Sequence, residues 1–302
     1  MLKSSVQAIA FLTLVLVLDQ GLGRWLRHLY LTSSYGQFQH IRQTFEAVEP
    51  EILILGSSRA AHHYVSRLIQ QETGLSCFNA GLDGTEINYH AAAYYANVAR
   101  YRPKLVVIDI NEYRFTLEGT GEKSLRNVIP YMKQVPEVAQ LYYDSDDWGY
   151  VKLLSAIYPH NSEILQLLTG ARSTDDRELG YDPIKGKMPE DAKPFVEDKL
   201  ASATPDQKAL KQLADVLQHA QARQIPILLV QSPRFAISPS NPVVERIGSL
   251  ANQFGAQFIN DINLSGVFDR PAWFKDTAHL NHDGAVVFSQ HFATQARKSL
   301  NN

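Results

Sequence analysis

The chain has 302 residues, 45% of them hydrophobic, enough to build one large domain around a core of its own. Its formal net charge is −2, so it lacks the basic excess of a nucleic-acid binder, and no acidic run marks a disordered tail. Cys77 is the single cysteine. An intrachain disulfide is therefore excluded, and the apolar neighbours Leu75 and Phe78 suit a buried thiol.

Residues 6–18 read VQAIAFLTLVLVL, an apolar run without charge behind Lys3. A full membrane span needs about 20 residues, so Leu2 on one side and Leu22, Trp25 and Leu26 on the other must extend it, with Trp25 at headgroup level. Three readings stay open: an uncleaved anchor over residues 1–30, a cleaved signal peptide, and a buried helix of a soluble protein. Asp19, Gln20 and Gly21 follow the run and offer no small-x-small cleavage site, which favours the anchor. With the positive charge ahead of the run, residues 31–302 are expected on the periplasmic or extracellular side of the inner (plasma) membrane.

Beyond a polar connection the pattern becomes regular. Ile52–Leu55 is a short apolar run ending at Gly56, as a buried parallel strand would. A helix is expected over 60–71, closed by Gly74. Strand candidates follow at 76–80, 105–110, 226–230 and Gln257–Asn260, separated by helices over 86–100, 206–223, 243–254 and 284–300. Strands alternating with helices predict an α/β fold with a parallel sheet covered on both faces. Residues 113–205 break the alternation and are too long for a loop. They read as an insertion with helical pieces at 138–143 and 151–158, packed beside the carboxyl edge of the sheet.

Open parallel sheets bind ligands beyond the carboxyl ends of their strands. The residues found there are Gly56-Ser57-Ser58-Arg59 after the first strand and Asn79, Gly81 and Asp83 after the second. Asn111 and Glu112 follow the third, and Gln231, Ser232 and Arg234 the fourth. Asp276-Thr277-Ala278-His279 precede the last helix. Ser58 alone could be a helix cap, and Asp-x-x-His alone could be structural. Together they supply a nucleophile, a base and an orienting acid. Ser58 Oγ would attack, His279 would take its proton and Asp276 would orient His279. The Ser58 and Gly81 N–H groups and the Asn111 side chain would hold the oxyanion. The second serine of the pair is favoured over Ser57 by its place in the turn.

These blocks resemble those of the SGNH (GDSL-type) hydrolase superfamily. Gly56-Ser57-Ser58 stands where that superfamily has G-D-S, with Ser57 in place of Asp, and is similar to the G-[ST]-S form of envelope relatives such as the D-alanine transfer protein and the alginate acetylation proteins. Gly81 lies in FNAGLDG. Asp109-Ile110-Asn111-Glu112 stands for G-x-N-D, and DTAHLN carries Asp276 and His279. The resemblance covers residues 51–111 and 224–300. It implies a three-layer αβα sandwich on a five-stranded parallel sheet, and ester hydrolysis or O-acyl transfer through an acyl-enzyme, with no cofactor. An acylated envelope carbohydrate would be the substrate and envelope polysaccharide machinery the partner, with no role for nucleic acid. A catalytically inactive carbohydrate-binding or assembly component is the alternative.

Other polar residues carry weaker readings. His62, His63, His279 and His282 raise the question of a metal, but adjacent histidines diverge on a helix and do not chelate together. No metal is expected. Arg59 and Arg234 could bind an anionic group of the substrate. Ala60 stands where a G-x-S-x-G elbow requires glycine, and no dinucleotide or P-loop fingerprint follows any strand.

Overall fold

The structure, a computed structural model, describes residues 2–33, 36–117, 125–169, 177–196, 198–237 and 241–301. Residues 118–124, 170–176 and 197 of the expected insertion lie outside the described residues. The helices are, in chain order, α1 (Leu2–Thr32), α2 (Gly36–Arg42), α3 (Ser58–His63), α4 (Ser66–Thr73), α5 (Ile87–Val98), α6 (Pro136–Ser145), α7 (Gly149–Lys152), α8 (Ile164–Thr169), α9 (Gln207–Ala222), α10 (Pro242–Gln253) and α11 (His282–Asn301). The strands are β1 (Ile52–Leu55), β2 (Cys77–Asn79), β3 (Leu105–Asp109), β4 (Phe195–Val196), β5 (Ile227–Gln231), β6 (Ala236–Ile237) and β7 (Gln257–Asn260). The chain divides into two compact units, one of residues 1–45 and 124–175, the other of residues 46–123 and 176–302.

The second unit holds the sheet. Five parallel strands run in the order β2-β1-β3-β5-β7, the α/β architecture expected from the alternating pattern. Central strands buried on both faces carry unbroken apolar runs, and β1, β3 and β5 are buried at every position. Ile52, Ile54, Leu105, Val107, Leu228 and Val230 point to one face, where Tyr64, Ile69, Phe288 and Phe292 of α4, α11 and the segment between α3 and α4 cover them. The alternate residues Leu53, Leu55, Val106, Ile108 and Leu229 are equally buried, on the face where α5, α9 and α10 pack. β7 ends in polar residues and is partly exposed, as suits an edge. A short pair, β4 with β6, was not foreseen from the sequence.

The caps follow the sequence closely. The Asp206 carboxylate accepts from the Lys208 and Ala209 amides to start α9, and Asn241 does the same for α10 through Val244. Gly74 adopts a left-handed conformation (φ 73°) and ends α4. One expectation is corrected: the single helix over 60–71 is two, because Tyr64 is extended (φ −111°, ψ 102°). Asn79 Nδ2 donates to the Ala60 and Tyr64 carbonyls at 2.6 and 3.1 Å, and Ser289 Oγ accepts from the Val65 amide at 2.8 Å. Partners from β2 and α11 thus replace the intrahelical bonds at the break.

The strand order reverses direction at β1, which sends one connection to β2 and the next across to β3. Such a switch point opens a crevice at the carboxyl ends of β1 and β3. Gly56 ends β1 there at φ +151°, and a Cβ would stand 2.6 Å from that of Ala60 and 3.0 Å from that of Asp109. Gly56→Ala is expected to destabilise the protein by about 1–3 kcal/mol from backbone strain, with the steric clash added. A lowered urea midpoint checks this.

In the first unit, α1 is long and apolar enough to cross a membrane. Its N-terminal half exposes Ile9, Phe11, Leu12, Leu14 and Leu16, whereas Leu26 and Tyr30 are buried. The buried stripe packs on residues of 124–175: Arg27 donates to the Pro130 carbonyl, and Tyr30 to that of Asn127.

Candidate active site

The structure brings Ser58, Asp276 and His279 together. Ser58 is the first residue of α3, half-buried at the switch point, and its Oγ lies 2.8 Å from His279 Nε2 across 221 residues of sequence. On the other side of the ring, His279 Nδ1 lies 3.0 and 3.1 Å from the two Asp276 carboxylate oxygens. A carboxylate only accepts, so Nδ1 carries the proton and Nε2 offers its lone pair to the Ser58 hydroxyl. Burial works against ionising Asp276, but the Ala278 amide, the His279 ring and the His279 amide outweigh it and hold the carboxyl below its usual range. Ser57, by contrast, is buried and makes no side-chain cap.

The loop that carries Asp276 and His279 is held from several sides. Asp276 Oδ1 accepts from the Ala278 and His279 amides at 2.8 and 2.9 Å, an Asx turn that the Asp-x-x-His spacing makes possible. Lys275 N–H donates to the His279 carbonyl at 2.9 Å, and Phe235 N–H to that of Thr277 at 3.1 Å. Asn281 caps α11 by accepting from the Gly284 amide, while its Nδ2 donates to the Gly186 and Ala272 carbonyls.

His63, which the sequence raised only in connection with a metal, supports the loop that carries His279. Its Nε2 accepts from the Leu280 amide at 3.0 Å, which fixes the proton on Nδ1, and Nδ1 donates to Ser232 Oγ at 2.9 Å. Burial, followed by the nearby His279 and Arg59, keeps His63 well below the usual histidine range, hence neutral. It ties the backbone next to His279 to the end of β5. His62 points the other way. Its Nδ1 faces the Asp182 carbonyl at 2.6 Å and its Nε2 faces Asp83 at 3.1 Å. Both partners only accept. Burial works against charging this ring, but Asp83 and the Asp182 carbonyl raise its pKa above the usual value. The His62 and His279 rings meet edge to face at 5.9 Å. Among the described residues, no group of three or more His, Cys, Asp or Glu is arranged to hold a metal ion.

The residues expected to hold the oxyanion are placed differently from one another. Asn111 follows β3 at the switch point, partly exposed, with an extended backbone (φ −93°, ψ 97°). Gly81 sits against α3, where a Cβ would meet the Ala61 nitrogen at 2.4 Å. Its N–H, however, donates to Asn79 Oδ1 at 3.0 Å.

Arg59 and Arg234, expected at the substrate, turn inward instead. Both are buried, at 2% and 7% exposure. Arg59 pairs with Asp109 through Nε at 3.3 Å and with Glu112 through Nη2 at 3.4 Å, and also donates to the Ile110 carbonyl. Arg234 Nη1 reaches the other Glu112 oxygen at 2.9 Å. The Tyr64 hydroxyl donates to Asp109 at 2.8 Å. Buried guanidinium groups need such partners. Two carboxylates at the β3 end draw both arginines into the fold rather than leaving them for a ligand.

No protein-family model matches this chain, and no curated protein matches it in sequence. Solved structures give distant likenesses. A protein assigned as an acylhydrolase from Bacteroides fragilis NCTC 9343 is 14% identical over 89% of this chain and 99% of its own, with a TM-score of 0.45. A GDSL-like lipase from Bacteroides thetaiotaomicron VPI-5482 is 13% identical over 85% and 97%, with a TM-score of 0.40. An alpha/beta hydrolase enzyme from the metagenome of Lake Arreo, Spain, is 13% identical over 83% and 95%, with a TM-score of 0.38. Likeness at this level says nothing of chemistry or of site residues.

Proposed function

We propose that this chain is a membrane-anchored serine esterase or O-acyltransferase that moves an acyl group, acetyl in the simplest case, on an envelope carbohydrate. The observation that carries the proposal is the continuous relay from Ser58 Oγ through His279 to Asp276, at 2.8 Å and 3.0 Å. In the first step Ser58 Oγ attacks the ester carbonyl while its proton passes to His279 Nε2. Asp276 stabilises the imidazolium from the Nδ1 side. The oxyanion takes hydrogen bonds from the Ser58 amide and the Asn111 carboxamide. The Gly81 amide joins them only as a donor shared with Asn79. Collapse breaks the C–O bond, and His279 returns the proton to the leaving alkoxide, which departs as an alcohol. In the second step water or another carbohydrate hydroxyl loses its proton to His279 and attacks the acyl-enzyme carbonyl; the bond from the acyl carbon to Ser58 Oγ then breaks and His279 returns the proton to Ser58 Oγ.

Hydrolysis and transfer share the first step and differ only in the acceptor. The apolar helix α1 supports an anchored enzyme at the inner (plasma) membrane. The G-S-S form of the first block supports a periplasmic or extracellular polysaccharide as acyl donor or acceptor.

A fluorophosphonate probe tests the proposal, because it reacts only with an activated serine. Covalent labelling is expected in the unaltered chain and in Ser57→Ala, and is expected to vanish in Ser58→Ala. Labelling that survives in Ser58→Ala would move the nucleophile elsewhere. An unlabelled protein that also fails to release p-nitrophenol from p-nitrophenyl acetate would favour the non-catalytic alternative.

A further inference from the structure

Helix α1 changes character at Asp19. On its N-terminal side the charge-free stretch of residues 4–18 covers about 15 residues, or roughly 22 Å of helix, against the roughly 30 Å of a hydrocarbon core. On its C-terminal side the helix is clasped by its own unit. Asp19 accepts from Ser155 Oγ at 2.6 Å and from the Ala156 amide at 2.7 Å. Gln20 Nε2 donates to the Leu154 carbonyl at 3.2 Å. Gly23 lies so close to Ala156 that a Cβ would stand 2.4 Å from the Ala156 Cβ. The residues around this clasp therefore sit beside α1 where its unbroken apolar stretch ends.

The segment leading into the clasp, and α8 beyond it, carry exposed apolar side chains. Trp148, Tyr150, Val151 and Leu154 of α7 and its flanks are 67%, 67%, 55% and 71% exposed, and Leu165 and Leu168 of α8 are 75% and 52% exposed. α8 packs on α1, with Leu167 buried and its neighbours Leu165 and Leu168 turned out. Lys152 inside the patch is paired, its Nζ lying 2.6 and 2.8 Å from the two Asp146 carboxylate oxygens, and the exposed Asp147 precedes Trp148 in the chain. The set combines large aliphatic side chains with a Trp and a Tyr, the composition that settles at a lipid interface.

We propose that these six residues form a ledge that sits in the lipid leaflet beside α1, so that the anchor is one helix plus an interfacial surface. The inference rests on α1 spanning the membrane, as in the function proposed above. The ledge supplies apolar surface at the depth where the short apolar run of α1 falls away. It also fixes the orientation of its unit on the bilayer, which a single helix leaves free to swivel.

Spin labels test it on the full chain in nanodiscs of phosphatidylethanolamine and phosphatidylglycerol. Single cysteines are introduced as Leu12→Cys, Leu154→Cys, Leu165→Cys and, as a water reference, Lys211→Cys. Cys77 is buried, with burial pushing its thiol up to about 12, so it does not take the label. Labels at 12, 154 and 165 are expected to be relaxed by oxygen and shielded from an aqueous nickel chelate at least fivefold relative to 211. A lipid-like signal at 12 with a water-like signal at 154 and 165 would overturn the ledge and leave the anchor standing. A water-like signal at 12 as well would overturn the anchor and the ledge with it. Shielding of 154 and 165 from both reagents in native membranes, but not in nanodiscs, would assign the surface to a protein partner and overturn the lipid reading.

Discussion

Asp276→Asn is expected to cut kcat for an ester substrate by about 10⁴-fold while leaving the fold intact, and His279→Ala by at least as much. The size follows from the tautomer. The carboxylate of Asp276 requires a proton on His279 Nδ1, 3.0 Å away, which leaves Nε2 free to receive the Ser58 proton. With Oδ1 kept as the oxygen, the amide nitrogen stands at the Oδ2 position, 3.1 Å from Nδ1, and donates toward the ring, which favours Nδ1 as acceptor and the proton on Nε2. In that tautomer the ring offers no lone pair to the Ser58 hydroxyl. Asparagine keeps an oxygen for the Ala278 and His279 amides that Asp276 now binds, so the loop holds its shape and the loss reads chemistry rather than misfolding. Steady-state kinetics with far-UV circular dichroism separates the two. Activity within tenfold of the unaltered enzyme would remove Asp276 from the relay.

The second large effect concerns stability. Glu112 is fully buried between Arg59 and Arg234. Burial works to raise its pKa, but the two guanidinium groups outweigh burial and hold it below the ordinary glutamate value of 4.5. Glu112→Gln leaves both arginines in the interior with Asp109, the partner of Arg59, as the remaining carboxylate of the cluster. Removing one partner from a buried ion pair costs about 3–5 kcal/mol, so a marked fall in the thermal midpoint is expected. The sign of the pH dependence follows from the lowered pKa. The unaltered protein keeps the full contribution of Glu112 above about pH 4.5 and loses it as pH falls through the folded value. Glu112→Gln should therefore narrow its stability deficit in acid. A deficit that stays constant from pH 7 to pH 3 would contradict this account.

The same cluster bears on the proposed chemistry. Arg59 follows Ser58 directly, and Glu112 follows Asn111. Their ion pair joins the turn after β1 to the end of β3, and Arg234 adds the end of β5. Three strand ends are thus held together next to Ser58, the proposed nucleophile, and Asn111, the proposed oxyanion donor, an arrangement that suits a site needing sub-ångström preorganisation.

Much of this was legible in the chain because it is local. Runs such as Ile52–Leu55 announce buried parallel strands by lacking alternation, and Gly74 marks a helix end through a bond to the Gln70 carbonyl four residues back. The Asp276–His279 pair is likewise a three-residue matter, a turn that its own side chain closes. The strand-end rule then gathered Ser58, Asn111 and the Asp-x-x-His loop without knowledge of any contact.

What only the tertiary structure decided depends on which way a side chain turns and what meets it from far along the sequence. Arg59 and Arg234 were correctly placed at strand ends, yet they face the interior, because the carboxylates that compensate them lie 50 and 122 residues away. His63 shares a dipeptide with His62. Only the approach of Leu280 and Ser232, across 217 and 169 residues, makes it the support of the His279 loop. The amide of Gly81 is claimed by Asn79, and the break between α3 and α4 is imposed by partners on β2 and α11. Spacing along a chain encodes bonds that close within a turn or two. Bonds between distant segments exist only once the sheet has set their register, and the 2.8 Å contact from Ser58 to His279 is of that kind.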